Sequence, residues 1–292
     1  MYDSLLAIVK RTKETNTPFW EVVCDEDCNE QGITREASFR SLSVMYRAMK
    51  EADSSYQSSW KSASGMVGTE GEKMRVYRAH HQPLTGSFMS LVSERALKSA
   101  SSNACMKRIV AAPTAGSCGV LPAVLISLQE RDALTDEQMV QALFVAGGIG
   151  GVIAHRASLS GAQGGCQAEV GAASAMAAGA AVYLAGGDDM RIVQACAIAL
   201  KSLLGLACDP VAGLVEVPCV KRNVIGAVNA LSAADLALAG IDSVIPADEV
   251  IDAMGRIGAK LPEEIRETGI GGLAGTPTGV SIRNRLKGGV TS

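Results

Sequence analysis

At 292 residues the chain is long enough to bury a substantial core, as one large domain or two small ones. A net charge of −3, from 27 basic and 30 acidic residues, leaves no polyanion-binding face and excludes nucleic acid as an expected partner. Aromatic residues are only 4% against 31 glycines, so the core must form by close approach of small side chains, a composition suited to tightly packed helices.

Taken in order, Tyr2, Leu5, Ile8 and Val9 fall on one helical face with Asp3 available as cap. Thr17 and Pro18 then start a second helix. It carries Cys24 and Cys28 four residues apart beside Asp25, Glu26 and Asp27, a spacing read as structural because no third ligand follows. Leu42, Met45, Tyr46 and Met49 signal a long helix over 34–57, with the methionines as core filler.

Segment 61–68 (KSASGMVG) breaks that periodicity. Its glycines and hydroxyls suit a loop that turns backbone N–H groups toward an anion such as a carboxylate; the plain alternative is a solvated loop. His80 and His81 precede Pro83, but adjacent side chains point apart, which argues against a shared metal or base role. A short β-rich run over 107–112 leads into 113–119 (PTAGSCG), a second hydroxyl-rich turn before a helix and a natural carboxylate holder.

Thr135, Asp136 and Glu137 make a strong helix start, and the helix continues through Gly147, Gly148, Gly150 and Gly151 to His155. Those glycines lie inside a helical pattern and lack G-x-G-x-x-G spacing, so a dinucleotide fingerprint is rejected. The apolar segments 139–153 and 170–186 fall short of the roughly 20 residues that span a bilayer and read as buried core helices. No membrane association is expected.

Three of the eight cysteines sit where packing does not predict them. Cys166 follows Gly161, Gly164 and Gly165 at the start of a small-residue helix. Cys208 precedes Asp209 and Pro210, which end a helix running through Leu206, and Cys219 follows Pro218 on rigid non-helical backbone. The long intervals match neither a zinc ribbon nor a ferredoxin-like loop. One thiolate from each of three loop edges, lowered in pKa by nearby helix N-termini, would form a soft-metal site with an open coordination position. The alternative is three ordinary buried thiols. Without a signal peptide, eight cysteines also point to a reducing cytoplasm.

Beyond Asn223, helices are expected over 223–241, 246–257 and 262–268, with a tail from Gly275 that lacks periodicity and is mobile or docks on a partner. The expected architecture is all-α, a single helical domain over 1–292.

The segments 112–122 (APTAGSCGVLP), 160–170 (SGAQGGCQAEV) and 206–223 (LACDPVAGLVEVPCVKRN) resemble signature stretches of the iron–sulfur-dependent L-serine dehydratases. The closer resemblance is to the separate alpha subunit of bacteria that divide this lyase between two polypeptides, and it runs from about Lys61 to the C-terminus. It implies a [4Fe-4S] cluster on Cys166, Cys208 and Cys219, L-serine as substrate, and a beta subunit as partner, with a homo-oligomer conceivable for the isolated chain. It also implies a substrate-binding role for the loop at 61–68. Ser62, Ser64, Gly65 and Thr114 are therefore the expected substrate contacts. Some relatives carry Asn where this chain has Ala115. Cys118 is a conceivable fourth cluster ligand. Lys61, beside the loop, is the expected base if desolvated, with His155 or a partner residue as alternatives. Competing readings are another cluster-dependent β-eliminating lyase such as an L-cysteine desulfidase, a pyridoxal-phosphate enzyme, and a non-catalytic cluster-binding subunit.

Overall fold

Residues 2–288 are described by a computed structural model, and among them thirteen α-helices form and no strand. In chain order these are α1 (Leu5–Thr15), α2 (Phe19–Gln31), α3 (Arg35–Ser54), α4 (Glu70–His80), α5 (Gly86–Ala104), α6 (Val120–Asp132), α7 (Asp136–Arg156), α8 (Gly161–Gly164), α9 (Ala172–Leu184), α10 (Asp189–Lys201), α11 (Cys219–Leu238), α12 (Ala247–Lys260) and α13 (Pro277–Gly288). The all-α expectation holds.

The first three helices form a flank. Ser4, not Asp3, caps α1: its hydroxyl accepts from the Ala7 N–H at 3.0 Å, and Asp248 from α12 accepts from the Leu5 N–H at 2.8 Å. Trp20, Phe39 and Phe144 join α2, α3 and α7 through ring centroids 5.7–6.3 Å apart. Cys24 is buried against Val140 and Phe144, as a packing residue would be.

The centre is α9, whose sequence AASAMAAGAAVYL leaves it buried from Ala172 to Val182. It packs against α6, α7, α10 and α11. Small side chains allow the approach: a Cβ built on Gly179 would lie 2.2 Å from Ile149 Cδ1 of α7. Helix α7 is long and apolar enough to cross a membrane by length and composition, yet here it is sandwiched by α2, α3 and α9. Its start is a capping box, with the Thr135 and Gln138 side chains each accepting from the other's backbone N–H.

Several boundaries differ from the sequence reading. Helix α5 escapes a periodicity scan because its buried side includes Ser90, Ser93, Ser99, Ser101 and Ser102, with Glu94 paired to Arg78 and Lys98, and Arg95 to Asp53. The run 107–112 forms no strand. Helix α10 stops at Lys201, ahead of a looser turn through Leu206, and 262–268 contains only the single 3-10 turn Glu263–Ile265. The tail expected to lack structure forms α13, and its last four residues lie outside the described residues.

Candidate active site

Each of the three unusual cysteines is fixed by a different backbone device. After α8 the chain turns at Gly165 with φ 76°, where a Cβ would stand 2.9 Å from the Leu206 carbonyl oxygen, so only glycine lets the Cys166 segment lie against that strand of backbone. Gln167 then staples it: its N–H donates to Leu206 O at 3.1 Å, its Nε2 donates to Met254 O at 3.0 Å, and its Oε1 accepts from the Gly205 N–H at 2.8 Å. Cys208 sits in an isolated parallel bridge to Arg266; its N–H donates to Ile265 O at 2.8 Å and its carbonyl accepts from the Glu267 N–H at 2.7 Å. Cys219 is the first residue of α11, after the capping position Pro218, so it stands at a helix N-terminus rather than on non-helical backbone.

The three thiols are buried together, with exposures of 3%, 3% and 8% for Cys166, Cys208 and Cys219. Burial is the main cause of a raised pKa at each, to about 11 for Cys166, to about 12 for Cys219 and higher still for Cys208. Neighbouring thiols add to it, Cys166 and Cys219 acting on Cys208, and Cys166 on Cys219. The lowered pKa expected from helix N-termini is thus overturned in the metal-free chain, because desolvation of three adjacent sulfurs outweighs the helix end. Arg222, one turn into α11, opposes the rise. Its guanidinium lies near Cys166, donates to Ala207 O at 2.6 Å and pairs with Asp209 at 2.9 Å.

One carboxyl touches this group. Glu169 accepts from Thr114 Oγ1 at 2.8 Å and from the Cys208 thiol at 3.9 Å, and its burial holds the carboxyl above the usual range. The space around it is closed by glycines. A Cβ on Gly161 would lie 2.6 Å from Glu169 Oε2 and 3.1 Å from Cys208 Sγ, and one on Gly116 would lie 3.0 Å from Glu169 Oε1. Among the described residues no three His, Cys, Asp or Glu side chains converge on a single metal ion. The donors at hand are three soft thiols on separate elements, and such a set fits an iron–sulfur cluster.

Asn223 locks the second hydroxyl-rich turn against this centre. Its Oδ1 accepts from the Gly119 N–H at 2.8 Å, and its Nδ2 donates to Gly116 O at 2.8 Å and Cys219 O at 3.0 Å. Thr114 is thereby held beside Glu169, with Ser117 Oγ 3.1 Å away. The first hydroxyl-rich loop is anchored differently. Ser62 donates to Glu216 Oε2 at 2.7 Å, Ser64 donates to the same oxygen, and Gly65 turns the loop at φ 75°. Ser64 also lines a cavity of about 790 Å³ together with Leu214 and Arg283.

The serine dehydratase alpha chain family model matches residues 14–274. The chain is 45% identical over 99% of its length to a probable L-serine dehydratase alpha chain of Bacillus subtilis, covering 96% of that chain. It is 38% identical over 97% of its length to an L-serine dehydratase alpha chain of Peptoniphilus asaccharolyticus, again covering 97% of it. A probable L-serine dehydratase alpha chain of Latilactobacillus sakei is 57% identical over 64% of this chain and 89% of its own. The chain belongs to the serine dehydratase alpha chain family.

In this alpha chain the fold brings Cys166, Cys208 and Cys219 together, and it places Thr114 beside them through Glu169. Ser62 and Ser64 join the same region by way of Glu216, three residues before Cys219. Lys61 is exposed, without the burial that a lysine base requires, and His155 is exposed in the last turn of α7. His80 and His81 are exposed at the end of α4, where His81 stacks on Tyr77 at 4.9 Å. Cys118 is buried with its thiol directed at Ser99 O, 3.7 Å away. Sequence reading passed over Glu169, Glu216, Arg222 and Asn223. Each lies three or four residues from a site cysteine, so the one-turn spacing along the chain was the available signal.

Proposed function

We propose that this alpha chain is the cluster-bearing chain of an L-serine ammonia-lyase, forming aminoacrylate and then pyruvate and ammonia. The observation that carries the reading is the juxtaposition of three buried thiols from separate elements, with Glu169 against Cys208. Cys166, Cys208 and Cys219 would hold a [4Fe-4S] cluster, which supplies a Lewis-acidic iron for a substrate oxygen when bound. The remaining work falls to the chain. The buried walls exclude water, and Arg222 offsets the negative charge of the thiolates. Thr114, Ser62, Ser64 and Gly65 orient the substrate. Glu169 is the group placed to carry a proton at Oε1 or Oε2, since it alone among the carboxyls described contacts both Thr114 and a site thiol.

Loss of water from L-serine leaves aminoacrylate, whose imine takes up water to give pyruvate and ammonia without further catalysis. The relatives named as alpha chains support a beta subunit as the partner, and eight unpaired thiols support a reducing cytoplasm as the setting. The test is product formation by the anaerobic enzyme with its beta subunit, supplied with L-serine, L-threonine or L-cysteine. Pyruvate from L-serine is the expected result. Sulfide from L-cysteine with no turnover of L-serine would favour a desulfidase, and iron binding without product from any of the three would leave a non-catalytic subunit.

A further inference from the structure

Glu216 is 4% exposed and accepts two hydrogen bonds on Oε2, from Ser62 and Ser64. No Lys, Arg or His among the described residues pairs with it, and its Oε1 accepts no hydrogen bond. A carboxylate withdrawn from water without a cation is costly, and such a group is normally paired. Donor bookkeeping sharpens the point. A serine hydroxyl has one proton to give and two lone pairs. Ser62 and Ser64 each give that proton to Glu216, so their own contact at 3.2 Å carries no proton, and each accepts one backbone N–H, Ser62 from Val67 at 3.4 Å and Ser64 from Met66 at 3.1 Å. Neither hydroxyl retains a donor for a substrate carboxylate. Each retains an acceptor.

A site with two hydroxyl acceptors backed by an unpaired buried carboxylate is complementary to an ammonium group. We infer that Ser62, Ser64 and Glu216 bind the α-ammonium of the amino-acid substrate, so that the loop at 61–68 reads the positive end of the zwitterion. Ser64 gives access, because it lines the cavity between this loop, Leu214 and α13. The cations lining the same cavity, Arg283, Arg285 and Lys287, suit the carboxylate end of an approaching zwitterion and disfavour a simple amine. This assignment builds on the lyase reading by naming what its substrate loop recognises, and it makes the protein selective for α-amino acids over α-hydroxy acids.

The test compares L-alanine with L-lactate, which differ at Cα only in carrying ammonium or hydroxyl and lack the leaving group. Calorimetric titration of the anaerobic holoenzyme with each gives the ratio of affinities. The wild type is expected to prefer L-alanine by about tenfold or more. In E216Q, which keeps the shape and removes the charge, that preference collapses about tenfold while L-lactate binding stays within about twofold. S64A, at a less buried position, is expected to lose part of the preference. A preference retained in E216Q, equal weakening of both ligands, or no L-alanine binding by the wild type would each overturn the assignment. Pyruvate formation from L-serine, assayed on the same wild-type preparation, reports the lyase reading separately: selective L-alanine binding without pyruvate would sink that reading and leave this one standing.

Discussion

Thr114 Oγ1 donates a 2.8 Å hydrogen bond to Glu169 Oε1, joining a turn before α6 to the π-helical segment Gln167–Gly171 that follows Cys166. The bond places an expected substrate contact and the carboxyl nearest the thiols within one hydrogen bond of each other. It also explains why Glu169 can be partly buried without a cation: Thr114 and the Cys208 thiol both donate to it.

Glu169→Gln keeps the size and the Thr114 contact but cannot carry a proton between substrate atoms. Turnover of L-serine is expected to fall by about 10²-fold or more, the usual contribution of a positioned acid or base, with iron per chain unchanged. Activity within about twofold of wild type would remove Glu169 from the mechanism.

Gly161→Ala drives a methyl group against Glu169 and Cys208, where no room is left for it. The folded chain is expected to retain its helix content by circular dichroism while binding much less iron after anaerobic reconstitution. Full iron loading in this variant would show that the cluster lies elsewhere.

Asn223→Ala orphans the Gly119 N–H and the Gly116 carbonyl, both held by that side chain. Each buried group left unpaired costs roughly 1–3 kcal/mol, so the urea midpoint is expected to fall clearly and the Thr114 turn to loosen. A midpoint equal to that of wild type would mean that water replaces the amide without penalty.

Burial pushes the Cys118 thiol up to about 12 from its ordinary value near 9.0. A folded pKa above the unfolded one contributes stability that is fully present below about pH 9 and is lost as pH rises toward 12, because the unfolded chain releases the proton first. In the metal-free protein, Cys118→Ala is therefore expected to flatten the alkaline loss of stability, and it should leave iron loading intact in the reconstituted one. A loss of iron would make Cys118 a ligand.

Much of this was legible in the sequence, for identifiable reasons. The small-residue run at 172–184 could only be a closely packed helix, and Thr135 with Asp136 and Glu137 marked the start of α7. Gly165 and the proline breaks at Pro210 and Pro218 singled out the three cysteines. What stayed hidden was determined by tertiary contact. The serine-rich face of α5 looks polar until Glu94 and Arg95 find their partners. Glu169 reads as an ordinary helix residue until the fold sets it against Thr114, more than fifty positions away. The direction of the thiol shifts depended on how deeply the sulfurs are buried, which no local pattern encodes. Lys61 looked suitable from its place beside the loop, and its exposure became visible only in three dimensions.

The most direct test of the cluster site is iron and acid-labile sulfide per chain after anaerobic purification, measured for the wild type and with Cys166, Cys208 and Cys219 each replaced by serine. The account predicts about four of each in the wild type and a severe loss in all three variants, against retention in Cys24→Ser. Iron and sulfide that persist when any one of the three is replaced, or that vanish equally in Cys24→Ser, would contradict it.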